Sequence, residues 1–513
     1  MFANTPMVIM FAAICAYLLM MIIIGIRFSK QTGTSSDFYL GGRKLGPLVT
    51  AMSAEASDMS SWLLMGLPGL ALACGLAEAS WTAIGLGIGT YINWLIVSKR
   101  IRNYSQRIDA FTIPDFFSKR FGDKAGILNF VSAIVIIIFF IPYVASGFNA
   151  CGTLFNSLSG GTIPYFCAML ISAVVIVGYT SLGGFLAAST TDLIQSIVMS
   201  FALVIVVIFG IRYAGGWEAA ADNARSIPGF LDLTETFDAA TGGKVSFGAL
   251  PIASTLAWGL GYFGMPHILL RFMAIKEVKK LRTSRRIATV WVFISMFAAI
   301  LIGVLGRAAV DNGAINITLE NSQRIIVEIS KIMSNHGALF AILGGVILAG
   351  ILAATMSTAD SQLLAAASSF SQNILRDVFK LNIKEKTAMI IARLTIIFIA
   401  VVAVFWARKE NSVFTIVSFA WGGFGAAFGP VVLCALFWKR ANKYGAIAGM
   451  ITGGAMVFIW KYIIAVKLGG IFAIYELLPA FICGLIAIIV VSLITKAPDA
   501  EITDTFEEVK KMN

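Results

Sequence analysis

The sequence contains few charged residues for its length. Asp, Glu, Lys and Arg make up 13% of the 513 residues, whereas they are about 25% of an ordinary soluble chain. Hydrophobic residues account for 58%. This balance excludes a typical soluble domain and indicates a polytopic membrane protein.

Histidine is nearly absent and cysteine is rare. His267 and His336 are the two histidines, and neither lies in a metal-ligand or acid–base arrangement, so a membrane enzyme that uses histidine catalysis finds no support. The six cysteines lie in or at the ends of apolar runs without metal-type spacing and are expected to be packing residues. A basic region before the first apolar run is also missing, which predicts a retained helix rather than a cleaved signal.

Apolar runs long enough to cross a membrane core of ~30 Å recur along the whole chain. No soluble domain interrupts them. They predict an all-α membrane protein of about thirteen transmembrane helices, near 6–26, 47–75, 80–97, 126–149, 162–180, 190–212, 248–266, 287–310, 337–375, 388–407, 412–437, 445–465 and 471–494.

The net charge of +12 is unevenly distributed. Basic residues follow the first, third, seventh and eleventh predicted spans, and the group after the seventh span begins with Arg271. The alternate connections are poor in basic residues, and 213–247 is rich in acids. The positive-inside rule therefore predicts an outer amino terminus, a cytoplasmic carboxyl terminus and an odd number of spans. This distribution indicates a lipid bilayer rather than nucleic acid as the partner.

Two predicted spans have interrupted apolar patterns. One contains Asp58, followed by Gly66, Pro68 and Gly69; the other is the glycine-rich run 258–266, which ends in proline. A carboxylate at membrane depth is costly and is usually kept for binding an ion or relaying protons. A weakened helix frees backbone carbonyls, which are tolerated only in protein or along a cavity. We therefore expect a cation site; the alternative is an Asp paired with a basic residue for structure.

Paired interrupted segments in two halves of a chain are the sequence pointer to a midplane site in an inverted-repeat transporter. They predict two five-helix repeats of opposite orientation. The alternative for the second segment is a set of glycines for close helix packing. The resulting organisation is a first helix and loop (1–46), the first repeat (47–212), an external loop (213–247), the second repeat (248–437), two peripheral helices (438–495) and a cytoplasmic tail (496–513).

Polar residues cluster in the ninth span, between 353 and 362. Ala354, Ser357, Thr358 and Ser361 share one helix face by their spacing, and oxygen ligands suit hard cations such as sodium. Hydroxyls in membrane helices often bond to their own helix instead, but this many together favour a cation site. Asp192, near the start of the sixth span, is a further candidate carboxylate or, equally, an N-terminal helix cap.

Three aromatic residues are candidates to line an organic substrate site: Tyr143, Trp258 and Tyr262. Their rings offer an apolar face and one hydrogen-bond donor, and can attract a ligand ammonium. Aromatic residues at the membrane interface are the alternative, but the glycines around Trp258 and Tyr262 favour a cavity wall.

Several motifs together resemble the sodium:solute symporter family, and most closely its bacterial sodium/proline symporters. The resemblance extends through nearly the whole chain. It is carried by residues 39–43 (YLGGR), 57–60 (SDMS), 62–69 (WLLMGLPG), 261–269 (GYFGMPHIL), 424–430 (FGAAFGP) and 439–449, which ends in GAIAG.

This resemblance implies an inverted-repeat fold of the amino-acid/sodium transporter type that works by alternating access. It implies a sodium site made of the backbone oxygens of Ala56, Met59 and Ala354 and the hydroxyls of Ser357 and Thr358. The residues implied for a proline pocket are Tyr143, Trp258, Tyr262, Pro266, Ser60 and Trp62.

Further ion-coupling candidates come from the same resemblance. Asp58 would be a key acid near the sodium site, and Arg43 would be functionally sensitive. Some relatives bind a further sodium with an acid at the position of Asp192 and hydroxyls near Ser361. Glu55 departs from the family pattern, because a small residue is expected there.

The sequence therefore predicts a sodium-coupled importer of L-proline in a bacterial plasma membrane, which is not an enzyme and has no obligate protein partner. Met265 stands where an amide residue is expected beside Pro266, which bears on the identity of the cargo. The alternatives are a symporter of another small solute or, from a different class, a passive channel or sensor.

Overall fold

The computed structural model describes residues 5–29, 35–381 and 383–512, which are almost entirely helical. Up to the first long connection the helices are α1 (Thr5–Ser29), α2 (Ser35–Leu40), α3 (Pro47–Ser61), α4 (Leu67–Cys74), α5 (Leu76–Ile92), α6 (Ser98–Arg107), α7 (Ile113–Phe121), α8 (Ile127–Leu158), α9 (Tyr165–Tyr213) and α10 (Trp217–Ser226). The remainder are α11 (Ala249–Leu256), α12 (Pro266–Ala274), α13 (Leu281–Asp311), α14 (Ile325–Ser334), α15 (Ala338–Ser368), α16 (Glu385–Trp406), α17 (Val413–Phe437), α18 (Lys443–Ile459), α19 (Ala465–Leu468), α20 (Leu477–Ile494) and α21 (Ala500–Lys511).

The sheet found in the described part of the chain is one hairpin, in the connection after α10. Strand β1 (Glu235–Asp238) pairs antiparallel with β2 (Gly243–Ser246), with Glu235 opposite Ser246. The fold class is thus all-α with one small hairpin.

Among the described residues, ten helices are long and apolar enough to span a membrane. The three other predicted spans, 47–75, 162–180 and 248–266, fall on helices that are shortened or interrupted. The total of thirteen spans stays a prediction, because an interrupted segment cannot be identified as a span by length and hydropathy alone.

The first interruption lies at Ser60, which is upstream of the predicted position. Ser60 has φ 40° and ψ −170° inside otherwise helical backbone, a strained conformation for a residue with a side chain. The predicted weak point at Gly66–Gly69 is wrong, since the chain there passes through one π-helical turn into α4. Pro68 fits in the first turn of α4, where its missing N–H needs no partner.

The second interruption separates α11 from α12. Residues 257–264 form a 3₁₀ segment, Met265 is extended, and Pro266 begins α12. Gly261 allows the close approach of α17, because a Cβ there would overlap the indole of Trp421. The predicted span ended at 266, but α12 continues to Ala274. Arg271, assigned from sequence to the connection after that span, is instead buried in α12 with 1% exposure.

A third interruption lies in α9 at Gly184, which has φ 67°. Its two halves correspond to the fifth and sixth predicted spans. Asp192 lies two turns beyond this break and is fully buried. The helix-cap alternative for Asp192 is therefore wrong, because the residue is inside the helix rather than at its first position.

The centre of the molecule is formed by α3, α9 and α15, which contact one another in pairs. Helix α12 packs against both α3 and α6. The predicted polar tail forms α21, which buries Phe506 and Val509 and contacts α6. Most of the polar groups described below lie where the interrupted helices α3 and α12 meet α15 and α9.

Candidate functional site

Asp58 lies in the last turn of α3, just before the break at Ser60, and is 6% exposed. The Tyr262 hydroxyl donates a hydrogen bond of 2.5 Å to its Oδ2. The Tyr143 hydroxyl donates one of 3.2 Å to its backbone carbonyl. Within the described chain, no basic side chain forms an ion pair with this carboxylate. Two sequence-predicted tyrosines therefore meet at a third candidate, a buried acid that lacks a counter-ion among the described residues.

Two side chains bind the carbonyls that the second interruption frees. Trp421 Nε1 donates to the Trp258 carbonyl at 2.8 Å, and Asn93 Nδ2 donates to the Tyr262 carbonyl at 3.1 Å. Buried carbonyls outside regular helix need such partners at membrane depth. The sequence analysis missed Trp421 and Asn93, because nothing in their own spans shows which helix they face.

Neutral oxygen atoms from α3 and α15 meet on the other side of Asp58. The Ser357 hydroxyl donates to the Ala56 carbonyl at 2.7 Å and lies 3.1 Å from the Ala354 carbonyl. The Thr358 hydroxyl is 3.2 Å from the same Ala354 oxygen. Both hydroxyls contact their own helix, as the alternative predicted, but Ser357 also reaches α3. These groups have the oxygen chemistry that a sodium ion needs.

Met59 and Ser60 occupy the break itself. The Met59 carbonyl accepts from the backbone N–H of Trp62, and Ser60 Oγ lies 3.1 Å from the same nitrogen. Pro266 is buried at the start of α12, one turn beyond Tyr262. The structure thus places both candidate groups, for sodium and for substrate, around the two breaks.

Four aromatic rings form a layer next to this site. Trp258 lies 5.9 Å from Trp62, 5.2 Å from Phe414 and 5.2 Å from Tyr475 between ring centroids. A cavity of about 560 Å³ ends at Trp258, Phe414 and Tyr475, with Glu78, Lys461 and Glu476 among its other walls. Asp58, Tyr143 and Tyr262 do not line that cavity. The cavity therefore ends at three of these rings and does not extend to the acid or its two tyrosines.

A second polar cluster lies beside the first and contains a charge pair. Arg271 Nη2 is 3.2 Å from Asp192 Oδ2, and both side chains are buried. The Ser53 hydroxyl donates to the same carboxylate oxygen at 2.6 Å, and the Ser57 hydroxyl lies 3.4 Å from it. Arg271 Nη2 also donates to Ser361 Oγ. The structure thus brings Asp192 and Ser361 to the same arginine, which the sequence analysis had placed in the connection after the seventh span.

Glu55 and Arg43 make their contacts away from the hydroxyls of α15. The Glu55 carboxylate accepts hydrogen bonds from Trp94 Nε1 at 2.8 Å and Thr90 Oγ1 at 3.0 Å, both on the helix that begins with α5. Arg43 donates to the Met273 carbonyl, at the end of α12, at 2.7 Å.

Arg43 links the end of α12 by hydrogen bonds to the last turn of α6 and to the connection after it. It donates to the carbonyls of Ala110 at 2.7 Å and Ser105 at 3.1 Å. Leu45 adds a bridge to Ile275. Burial, and then the nearby Arg102, lower the pKa of Arg43 to about 10, so it keeps its charge at neutral pH. Arg43 therefore belongs to a contact at one end of the molecule rather than to the oxygen cluster.

Comparison with protein families gives one match over most of the chain. The model of the sodium:solute symporter family matches residues 38–453. The high-affinity proline transporter of Bacillus subtilis is 41% identical over 490 residues, covering 95% of this chain and 98% of that protein. The sodium/proline symporter of Escherichia coli is 40% identical over 512 residues, covering 98% and 96%.

Solved structures share the architecture at low sequence identity. A sodium-coupled sialic acid symporter, solved substrate-bound and outward-open, gives a TM-score of 0.76 at 19% identity and covers 96% of this chain and 99% of its own. The structure of MhsT in complex with L-phenylalanine gives a TM-score of 0.54 at 14% identity, covering 88% of this chain and 98% of its own. At these identities the likeness establishes the fold alone.

Proposed function

The chain belongs to the sodium:solute symporter family, and we propose that it imports L-proline together with sodium by alternating access. Relatives named as proline transporters or sodium/proline symporters match it at about 40% identity over nearly their full length. The observation that carries the proposal is the meeting of two interrupted helices at Asp58 and at the oxygens of Ala56 and Ser357.

The sodium ion takes its place among the carbonyls of Ala56, Met59 and Ala354 and the hydroxyls of Ser357 and Thr358. In the structure the Ser357 hydroxyl bonds directly to Ala56, so an ion there would exchange this hydrogen bond for two oxygen ligands. Because Ala56 is on α3 and Ser357 on α15, the ion would fix the distance between two repeats. Coupling of sodium to proline transport requires that the ion bind one conformation more tightly than the other.

The proline pocket lies on the other face of the break, near Tyr143, Trp258, Tyr262 and Pro266, with Ser60 and Trp62 at its edge. Proline carries a secondary ammonium group on an apolar ring. Aromatic faces attract such a cation and cover such a ring. The Tyr262 hydroxyl already donates a hydrogen bond to Asp58. Substrate binding at this tyrosine would therefore alter the hydrogen bonding of the acid next to the ion.

We propose the repeats and the orientation that the sequence predicts. The first repeat comprises 47–212 and the second 248–437, each containing one of the two interrupted segments at its start. The remaining parts are 1–46, the loop 213–247, the peripheral helices 438–495 and the tail 496–513. We place the amino terminus outside and α21 in the cytoplasm of a bacterium, as the basic connections favour.

With this orientation, one set of contacts on each side of the site would control access to it. The aromatic layer of Trp62, Trp258, Phe414 and Tyr475 lies on the outer side. The hydrogen bonds of Arg43 to Met273 and Ala110 lie on the cytoplasmic side. Alternating access would open one of these contacts at a time.

The membrane potential supplies the driving force. One elementary charge moving inward across 100 mV gives about 2.3 kcal/mol, which supports roughly a fortyfold concentration ratio before any sodium gradient is added. Purified protein in liposomes should therefore accumulate labelled proline above the outside concentration when sodium is outside and the interior is negative.

The same liposomes test the alternatives. Equilibration without accumulation would contradict the proposal and favour a channel, and accumulation driven equally well by a proton gradient would contradict sodium coupling. If uptake is blocked better by another small solute than by unlabelled proline, the cargo assignment is wrong while the symport mechanism stands.

A further inference from the structure

The last helix, α21, docks on the rest of the molecule through one apolar face. Phe506 and Val509, which are three residues apart and so lie on the same side of the helix, are 5% and 3% exposed. The segment before the helix, 495–499, is irregular. A helix of 12 residues is marginal in water by itself. Its contacts with the rest of the chain therefore keep α21 folded.

Phe506 covers a buried arginine that joins α21 to other helices. Arg120 belongs to α7, and its side chain is 1% exposed. Its guanidinium carbon lies 5.0 Å from the centre of the Phe506 ring and 5.4 Å from that of Tyr104 in α6. Its Nε donates to the Ala435 carbonyl in α17 at 2.7 Å. A cation held against aromatic rings is stabilised while those rings stay in place, so α21 completes a packed junction of α6, α7 and α17.

Two ion pairs join the polar side of α21 to the same region. Arg107 Nη2, at the end of α6, is 2.9 Å from Glu508 Oε2. Lys439 Nζ, in the connection after α17, is 3.2 Å from Glu507 Oε1. All four side chains are partly exposed, so each pair is weak and reversible. Helix α21 therefore links the end of α6, in the first proposed repeat, to the end of the second.

The end of α6 also supplies acceptors to Arg43. Arg43 donates to the carbonyl of Ser105, two residues before Arg107, and to that of Ala110, three residues after it. It also donates to the Met273 carbonyl at the end of α12. These bonds form the cytoplasmic contact of the proposed orientation. Helix α21 thus holds the segment on which two of the carbonyl acceptors of this contact lie.

We propose that α21 is a clamp on the cytoplasmic side of the transporter: when docked, it keeps the contact between Arg43 and α6 in place, and its release favours opening toward the cytoplasm. The proposal rests on the alternating access of the proposed function and adds a means of regulating it. A change that weakens the docking of α21 shifts the population toward the state that is open to the cytoplasm.

Hydrogen exchange on the purified intact chain measures the clamp and the contact separately. Exchange in 500–511 reports the docking of α21. The cytoplasmic contact is measured at the amides of Leu45 and Lys276, which are hydrogen-bonded across it at 3.2 and 3.0 Å. The outer side is measured at the amide of Leu76, which donates to the Phe230 carbonyl at 2.8 Å.

The Phe506→Ala variant removes the ring that covers Arg120. Exchange should accelerate in 500–511, and at the two cytoplasmic amides by about tenfold, because burial of a phenylalanine side chain shifts an equilibrium by about this factor or more. Exchange at Leu76 should stay as in the unmodified protein. Equal acceleration on both sides would mean a general loss of stability, and acceleration confined to 500–511 would mean a tail without control of the contact. Either result, or no change anywhere, overturns the clamp.

A milder pair of variants tests the same link even if Phe506→Ala folds poorly. Glu508→Gln removes the ion pair with Arg107, and exchange at the two cytoplasmic amides should rise about 1.5–5-fold. Asp504→Asn makes the same change at an exposed acid of the same helix, outside both ion pairs, and should match the unmodified protein. An equal rise in both variants, or no rise in Glu508→Gln, contradicts the clamp.

Liposome transport separates this proposal from the proposed function. If the unmodified protein accumulates proline with sodium but the cytoplasmic amides do not respond to Phe506→Ala, the function stands and the clamp is wrong. If the protein fails to accumulate proline but shows the expected exchange pattern, the function is wrong and α21 still controls the cytoplasmic contact.

Discussion

Asp58 and Asp192 are two buried acids, and they differ in charge balance. Asp192 is paired with Arg271. Asp58 has the Tyr262 hydroxyl but no ion pair to any described residue. A buried carboxylate that is neutralised by an arginine of the chain needs no bound ion. A buried carboxylate without such a partner favours reversible binding of a cation.

The neighbouring hydroxyls show the same contrast. Ser53 and Ser361 donate to or accept from charged groups of the Asp192 pair. Among the described residues, the hydroxyls of Ser357 and Thr358 hydrogen-bond to backbone carbonyls. Such neutral contacts are individually weak and can be exchanged for an ion at little cost. The comparison teaches that charge balance, rather than burial or residue type, separates the structural cluster from the proposed sodium site.

The largest expected effect is that of neutralising the paired acid. Asp192→Asn leaves the Arg271 guanidinium buried without its counter-ion, which typically costs about 3–5 kcal/mol. The variant should lose much of its thermal stability in detergent, or accumulate poorly in the membrane. Thermal unfolding without sodium measures this directly.

The same substitution at the unpaired acid should act in the opposite way. Asp58→Asn removes a buried charge that has no partner in the chain, so stability without sodium should be unchanged or higher. Sodium activation of proline binding should weaken about 10–100-fold, because a hydrogen bond to a charged group is worth about 1.5–3 kcal/mol. Unchanged sodium dependence in Asp58→Asn, or a stability loss as large as that of Asp192→Asn, would contradict the distinction between an ion-coupled Asp58 and a structurally paired Asp192.

The sequence was sufficient to predict the membrane class, the presence of two interrupted helices and a buried acid beside the first interruption. Each of these depends on local composition: apolar length, a charge at membrane depth, or glycine and proline within a span. The first break was displaced to Ser60, because a serine with positive φ leaves no sign in the sequence, whereas Gly66 and Pro68 do.

Arg271 could not be assigned correctly from the sequence. It follows an apolar run and heads a group of basic residues, so the charge pattern placed it in the cytoplasm. Its burial depends on the restart of the helix at Pro266 and on Asp192, which lies 79 residues away in the chain. Pairings between distant segments of this kind are set by packing, which local patterns do not record.

A smaller effect is expected at the neutral oxygens of α3 and α15 that form the proposed sodium site. Thr358→Ala removes one hydroxyl that contacts the Ala354 carbonyl, and a neutral hydrogen-bonding group of this kind is worth about 0.5–1.5 kcal/mol. Half-maximal sodium for proline binding should therefore rise about 2–10-fold, with no change in thermal stability without sodium. Thr355→Ala is the matched control, since its hydroxyl bonds to Ile351 within the same helix. An equal sodium shift in both variants would contradict a specific role for Thr358.

The smallest effect is expected at Tyr143, which touches Asp58 only through its backbone carbonyl. Tyr143→Phe keeps the ring and removes a single hydrogen bond of 3.2 Å, worth about 0.5–1 kcal/mol. Proline affinity should fall about 2–5-fold at saturating sodium, while half-maximal sodium stays the same, because the hydroxyl does not reach the carboxylate. Titrating sodium and proline separately in one binding assay distinguishes a change in proline affinity from a change in half-maximal sodium. A shift in sodium dependence as large as that of Asp58→Asn would mean that Tyr143 acts on the ion, and that substrate and sodium share one site rather than adjoining ones.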